Sequence, residues 1–132
     1  MKIKTSELIG AQLDWAVAKC EGYECEFGDE VSGPWLVPQE GYLHDEKPLA
    51  SFRPSTDWAQ GGPLSERESL CVGRKQQCDT AYCPINDPTV DCWARTSNGG
   101  HLSYGPTPLI AAMRCFCASR LGDEINIPEE LK

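Results

Sequence analysis

The sequence predicts a single small α+β domain over residues 1–132, with two main helices packed on a sheet of short, mostly antiparallel strands. Two amphipathic helical patterns lie near the ends of the chain, and short strand-like segments separated by turn-forming residues lie between them. A length of 132 residues allows one modest hydrophobic core. The apolar fraction of 40% and the charged fraction of 24% are typical of a globular chain rather than a disordered one.

The first helix is predicted over residues 6–21. One face of a 3.6-residue period carries Leu13, Ala16, Val17 and Cys20. Thr5 or Ser6 is expected to cap the amino end, and Gly22 is expected to end the helix in a left-handed conformation. Trp15 lies on a different stripe of the helix, so we expect it to cover a second surface, as a contact for a partner or a pocket.

The second helix follows Thr107, an N-cap residue, and Pro108, whose missing N–H costs nothing in the first helical position. Its helical repeat is carried by Leu109, Met113, Phe116, Cys117 and Arg120. Gly122 is expected to end it. Beyond that glycine, Ile125 and Ile127 alternate with polar residues and predict a short edge strand.

Turn-forming residues divide the middle of the chain into short segments. Strands are predicted around Trp35–Val37, Tyr42–Leu43, Glu68–Val72 and Asp91–Thr96. Residues 51–63 begin and end in turn-forming sequences, and residues 74–90 are predicted to form a long polar loop.

The formal net charge is −8, and the imbalance is local. Residues 21–46 contain acidic side chains and no Lys or Arg, while the rest of the chain is balanced. Nucleic-acid binding is not expected, because it needs Lys and Arg to replace counterions. No apolar run is long enough for a membrane helix, and no signal-peptide pattern opens the chain, so a cytoplasmic protein with reduced thiols is expected.

The cysteines and histidines do not predict a catalytic or metal site. The central thiols are Cys71, Cys78, Cys83 and Cys92. Structural zinc usually uses Cys-x(2–4)-Cys pairs, and only Cys78 and Cys83 come near that spacing, so zinc is not favoured. Whether the four thiols are free, paired or metal-bound stays open. His44 and His101 both lie in loop-like sequence, so a Cys–His nucleophile is not indicated. We therefore expect no enzyme activity, no metal and no cofactor.

The most informative segment is Ser55-Thr56-Asp57-Trp58-Ala59-Gln60-Gly61-Gly62-Pro63. The indole of Trp58 offers a face for stacking on a base or sugar, and the neighbouring hydroxyl, carboxylate and amide groups offer hydrogen bonds. An alternative interpretation is a structured turn, in which Asp57 caps backbone N–H groups while Trp58 packs into the core.

The start of the second helix is a second candidate, since a helix N-terminus attracts anions. If it faces the Trp58 segment, the two would enclose a small ligand with a stacking face and anion donors, although simple helix capping explains Thr107 equally well. Arg53 and Arg67 flank the Trp58 segment. The predicted ligand-binding residues are Arg53, Ser55, Thr56, Asp57, Trp58, Gln60, Gly61, Gly62, Thr107 and Arg114.

Several blocks together resemble the NinX-like family of small accessory proteins from tailed bacteriophages and prophages. These blocks are Met1–Leu8, Leu13–Ala18, Pro54–Pro63, Trp93–Ala94, Gly105–Arg114, Gly122–Glu124 and Pro128–Leu131. Residues 23–50 and 74–90 match the family poorly and are interpreted as divergent loops or insertions. The resemblance implies a phage protein in the host cytoplasm, and it supplies no activity.

Small phage proteins of this kind are often counter-defence factors. By analogy, we expect a non-enzymatic protein that sequesters a small nucleotide-derived immune signal of the host. A homo-oligomer, with Trp15 as a candidate contact, would enclose more of such a ligand. The alternative is an acidic protein-binding modulator that occupies a basic host surface, using acids such as Glu24, Glu26, Asp29 and Glu30.

Overall fold

The α+β class is confirmed by a computed structural model. The structure describes residues 2–27, 33–39, 46–74, 92–97, 100–128 and 131. Within these residues, three helices accompany three small antiparallel sheets, so the fold contains one helix more than the sequence predicted.

The described chain consists of short strands and helices. The strands are β1 (Lys2–Lys4), β2 (Tyr23–Phe27), β3 (Pro34–Pro38), β4 (Lys47–Pro48), β5 (Leu70–Arg74), β6 (Cys92–Thr96), β7 (Leu102–Gly105) and β8 (Glu124–Asn126). The helices are α1 (Gly10–Cys20), α2 (Trp58–Arg67) and α3 (Pro108–Leu121), and Thr5–Glu7 and Leu49–Ser51 form 3₁₀ turns. The sheets are β1–β8, β2–β3–β4 and β5–β6–β7. The first of these joins the two ends of the chain, with Ile3 opposite Ile125.

The core is built around α3, whose residues from Leu109 to Met113 and from Cys115 to Cys117 are all buried. It packs against α1, α2 and the sheet β5–β6–β7. Thr107 caps α3 as predicted, since its Oγ1 accepts the N–H of Ile110 at 3.1 Å. Gly122 ends the helix with a positive φ of 88°, a region that glycine enters without steric cost.

The predicted start of the first helix is wrong by one turn. Helix α1 begins at Gly10, after a 3₁₀ turn and two extended residues, and no side chain caps it. The Thr5 hydroxyl instead donates to the carbonyls of Gly122 and Asp123, both at 3.1 Å, and so ties the amino-terminal segment to the end of α3. Gly22 ends α1 as expected, with a φ of 92°.

The interpretation of Trp15 as an outward contact is also wrong. Trp15 is only 7% exposed. The whole run Leu13–Ala18 is buried, so neighbouring elements cover more than one face of α1. The ammonium of Lys19 lies 5.3 Å from the centre of the indole, within the range of a cation–π contact. Trp15 therefore belongs to the core and is not available to a second subunit.

Helix α2 was not predicted, because Gly61, Gly62 and Pro63 favour a turn when read locally. Because Gly61 has no side chain, helix α2 packs against the Pro54 carbonyl and Leu109 more closely than any other residue at this position would permit. A Cβ added to it would lie 2.2 Å from the Pro54 carbonyl oxygen and 2.5 Å from Leu109 Cδ1. Tertiary packing against α3 thus stabilises a helix that has weak intrinsic propensity.

The remaining strand predictions differ in outcome. Strands β3, β6 and β8 lie where expected, while β5 begins at Leu70 rather than at residue 68, because Ser69 takes a left-handed φ of 53° that breaks the extended chain. Strand β2 was missed, although its side chains alternate between exposed acids and less exposed apolar groups. The predicted strand Tyr42–Leu43 and almost all of the loop 74–90 lie outside the described residues.

We predict that Gly61→Ala lowers the free energy of unfolding by about 1–3 kcal/mol, because the added methyl group overlaps a backbone carbonyl and a packed leucine. Gly62→Ala is the matched control. Among the described residues, its Cβ would meet Trp58 Cε3 alone, at 3.7 Å, so the better helix propensity of alanine should leave stability equal or higher by up to about 1 kcal/mol. Urea denaturation of both variants measures this. Equal stabilities would contradict the close packing.

Candidate functional site

The turn that opens α2 is fixed by its own polar side chains. Asp57 Oδ1 accepts the N–H of Ala59 at 3.0 Å and caps the helix. The Gln60 amide donates to Asp57 Oδ2 at 3.1 Å and to the Ser51 carbonyl at 3.0 Å, and it accepts the N–H of Arg53 at 2.9 Å. Asp57 and Gln60 therefore form a capping arrangement that holds the preceding loop in place.

Trp58 stands on this fixed turn and points outward. The residue is 55% exposed, so the interpretation in which its indole fills the core is wrong. Its ring lies over Gly62, where an added Cβ would be 3.7 Å from Cε3. Arg53 and Thr56 are exposed on the loop that leads into the same turn. The turn thus presents an aromatic face, a cation and a hydroxyl to solvent.

Ser55 takes a different role from its neighbours. It is buried, and its N–H donates to Asp14 Oδ1 of helix α1 at 2.9 Å. Its hydroxyl is buried next to the Asp14 carboxyl group. Burial raises the pKa of Asp14, and the nearby groups of Ser55 and Arg53 oppose that shift. Ser55 therefore anchors the loop on α1, next to a buried carboxyl group.

At the start of α3, the side chains predicted to bind an anion make hydrogen bonds to other groups of the chain. The Thr107 hydroxyl caps Ile110. The Arg114 guanidinium donates through Nε to the Leu8 carbonyl and through Nη1 to the Tyr104 carbonyl, each at 2.8 Å. Burial lowers the pKa of Arg114. These contacts hold the amino-terminal segment and β7 against α3.

Arg67, the other arginine near the Trp58 segment, is paired on the surface. Its guanidinium contacts the carboxylates of Glu21 and Glu68, and Arg120 also donates to Glu68 at 2.9 Å. Burial acts to raise the pKa of Glu68, but its two arginine partners outweigh this effect and lower it. Arg67 thus links the ends of helices α1 and α2 rather than the Trp58 turn.

The two segments of the predicted site are neighbours, because Gly61 of α2 packs directly on Leu109 in the first turn of α3. Apolar packing joins them at this contact. Among the predicted residues, Arg53, Thr56 and Trp58 remain exposed, whereas Ser55, Asp57, Gln60, Thr107 and Arg114 make internal hydrogen bonds and Gly61 is buried. A ligand-binding role for each of them stays a prediction.

Two clefts border the loop before α2. One has a volume of about 470 Å³ and includes Glu21, Tyr23, Lys47, Phe52, Gln60 and Leu64. The ammonium of Lys47 lies 5.4 Å from the Tyr23 ring centre and 5.5 Å from that of Phe52, so the only described lysine in this cleft is already stacked on aromatic rings.

The second cleft, named here the Asp14 cleft, lies between α1 and the loop. It has a volume of about 380 Å³ and is lined by Gly10, Ala11, Asp14, Pro34, Leu49, Ala50, Arg53, Thr56 and Leu131. Sequence reasoning missed Asp14. The available signal was an acid within the otherwise apolar run Leu13–Ala18, a position where burial of a carboxyl group is costly.

The acidic stretch is only partly described. Glu21 is paired with Arg67, while Glu24 and Glu26 are exposed on β2. Asp29 and Glu30 lie outside the described residues.

The four central cysteine residues are only partly described by the structure. Cys71 is exposed and Cys92 is buried, while Cys78 and Cys83 lie outside the described residues. Among the described residues, no group of three or more His, Cys, Asp or Glu side chains is placed to hold a metal ion.

Burial keeps the thiols of α3 protonated. It raises the pKa of Cys115 to about 11, and this thiol donates to the His101 carbonyl. A hydrogen bond with Cys20, together with burial, raises the pKa of Cys117 well above its ordinary range. Neither thiol is an activated nucleophile at neutral pH. His44 lies outside the described residues.

The chain belongs to a phage protein family. The family model described as "Bacteriophage P22, NinX" matches residues 4–120, which is most of the chain. This confirms the resemblance to NinX-like proteins and includes the Trp58 turn, Asp14 and the start of α3. A comparison with curated proteins finds no match. None of the helices in the described ranges has the length and apolar character required to cross a membrane.

We predict that Asp14→Asn makes the protein progressively more stable than the natural chain as the pH rises. Because burial raises the folded-state pKa of Asp14, the folded protein binds more protons than the unfolded chain, and stability falls as the pH rises through that folded-state pKa. Asparagine retains an Oδ1 acceptor for the Ser55 N–H and does not ionise.

Urea denaturation from about pH 3 to about pH 7 measures this difference in the free energy of unfolding. Glu24→Gln, which replaces an exposed carboxylate, is the control. A stability difference between Asp14→Asn and the natural chain that stays constant over this range would contradict the assigned burial of Asp14.

Proposed function

We propose that this NinX-family phage protein binds a small nucleotide-type ligand and sequesters it without cleaving it, in the cytoplasm of the infected host. In this proposal the ligand is an immune signal of the host. Trp58 stacks on a base, Arg53 contacts a phosphate, and Thr56 donates to or accepts from the sugar or phosphate. The protein then acts by lowering the concentration of free signal.

The observation that carries the proposal is the exposed indole on a rigid turn. Trp58 is 55% exposed, although its neighbours Asp57 and Gln60 fix the local backbone with hydrogen bonds. Leaving so much of an indole in water forgoes a large hydrophobic gain. A fixed aromatic surface loses little conformational entropy on binding, which favours a role in recognition.

Arg53 supplies the cation in this proposal. It is exposed and makes no ion pair within the described residues, whereas Arg67 and Arg120 are paired with carboxylates and Arg114 with backbone carbonyls. Its guanidinium is therefore available to bind a phosphate bidentately. A single unpaired cation of this kind attracts a small anion locally, even though the net charge of the protein is −8.

Sequestration needs slow release, and a ligand held on an open surface dissociates quickly. We propose that a second copy of the chain covers the Trp58 surface and encloses the ligand. Trp15 takes no part in this contact because it is buried. Native mass spectrometry of the protein with and without nucleotide reports the subunit count.

The alternative function, an acidic modulator of a host protein, is favoured by one observation. Glu24 and Glu26 are both exposed and alternate along β2, which is an edge strand of the sheet β2–β3–β4, so their carboxylates project from the same side. A basic host surface would be recognised there. Loss of a host partner on Glu24→Gln/Glu26→Gln, with nucleotide binding retained, would support this function.

We predict that Trp58→Ala weakens binding of ribonucleoside 5′-monophosphates by about fivefold or more, since stacking of one base on an aromatic side chain contributes about 1–3 kcal/mol. Trp35→Ala is the matched control, because Trp35 is also partly exposed, at 38%, but lies on β3. Equilibrium dialysis with adenosine, guanosine, cytidine and uridine monophosphates measures the affinities. Failure of the natural protein to bind any of them, or equal losses in both variants, would overturn the proposal.

A further inference from the structure

Two thiols meet where helices α1 and α3 pack against each other. Cys20 is the last residue of α1, Cys117 lies on α3, and a hydrogen bond joins their side chains. Both are free thiols that pack on the same hydrophobic core. The hydrogen bond brings the two sulfur atoms into contact, which is the approach that disulfide formation requires.

The two thiols differ in their access to solvent. Cys117 is fully buried, at 0% exposure, whereas Cys20 is partly exposed at the end of α1. A reagent in solution therefore reaches Cys20 first, and the fold shields Cys117 from it. An accessible thiol with a second thiol directly behind it is the arrangement of a redox-sensitive cysteine and its resolving cysteine.

A second buried thiol on α3 shows that burial alone does not create this pair. Cys115 is also 0% exposed, but its thiol donates to the His101 carbonyl. Cys117 instead has a thiol as its partner, and burial together with that hydrogen bond raises its pKa. Cys117 therefore stays protonated at neutral pH, and Cys20 is the member of the pair that reacts first.

We propose that Cys20 and Cys117 form a redox-active pair, which low-molecular-weight disulfides of the glutathione disulfide class oxidise to an intramolecular disulfide. The Cys20 thiolate attacks one sulfur of glutathione disulfide, whose S–S bond breaks as one glutathione thiolate leaves. The Cys117 thiolate then attacks the Cys20 sulfur of this mixed disulfide and releases the second glutathione. The protein loses two electrons and two protons, and glutathione disulfide takes up both to become two glutathione thiols.

The disulfide joins the two helices to which the Trp58 turn is attached. The Ser55 N–H bonds to Asp14 of α1, and Gly61 packs on Leu109 of α3. A covalent link between these helices restricts the unfolded chain, so oxidation stabilises the folded support of the turn. The proposal requires no nucleotide, and it stands or falls independently of the proposed function.

Treatment of the reduced, folded protein with glutathione disulfide tests this pairing. Free thiols are then blocked with N-ethylmaleimide, and peptide mapping locates the new bond, since the chain has eight cysteines. We expect a peptide that links Cys20 to Cys117 and that dithiothreitol cleaves. The urea midpoint of the oxidised protein should lie above that of the reduced protein.

Two variants separate the pair from the other thiols. Cys117→Ala removes the resolving thiol, so Cys20 should accumulate as a mixed disulfide with glutathione, and the upward shift of the urea midpoint should be lost. Cys115→Ala is the matched control and should retain both the linked peptide and the shift, because Cys115 is equally buried on α3. If Cys117→Ala does not fold, Cys20→Ser replaces it, and Cys117 should then stay unmodified.

Three results would overturn the proposal. One is a natural protein in which Cys20 carries glutathione without linking to Cys117, or links to a different cysteine. Another is a Cys20–Cys117 bond that forms only after unfolding in urea, because the folded contact would then play no part. The third is an unmodified Cys20 at concentrations of glutathione disulfide that modify the exposed Cys71.

Discussion

The close approach of Gly61 to its neighbours is the constraint on which the candidate site depends. With no side chain at this position, the Pro54 carbonyl and Leu109 come near enough that a Cβ would overlap both. Helix α2 is thereby fixed on the first turn of α3, and the loop that precedes it is fixed on α1 through the Ser55 bond to Asp14. The outward position of Trp58 is a consequence of these two attachments.

The conspicuous polar residues of the Trp58 segment divide into two groups. Asp57 and Gln60 make hydrogen bonds to backbone and side-chain groups of the turn, so they hold the turn that carries Trp58 in one conformation. Arg53 and Thr56 are exposed beside the Asp14 cleft, where they are accessible to a ligand. A segment that resembles a ligand-binding loop in sequence is therefore partly a helix cap. The exposed Arg53 and Thr56 line a cleft together with Asp14, which belongs to helix α1.

Membership of the NinX family places this arrangement in a phage protein, because the family match includes the turn, the cleft acid and α3. The charge distribution is compatible with a small anionic ligand despite the net charge of −8. Most described arginines near the site are neutralised by carboxylates or used by backbone carbonyls, which leaves Arg53 as a local cation. Such focusing depends on the position of individual groups and not on total charge.

The sequence by itself determined the α+β class, the cap and end of α3, four of the eight described strands and the chemical character of the Trp58 segment, because these depend on local periodicity and on capping residues. Only the tertiary structure decided that Gly61-Gly62-Pro63 continues a helix, that Trp15 is buried and Trp58 exposed, and that Arg114 holds two backbone carbonyls. It also brought Asp14 to Ser55, 41 residues away along the chain. Contacts between residues so far apart have no local signal, since they arise from the packing of whole elements.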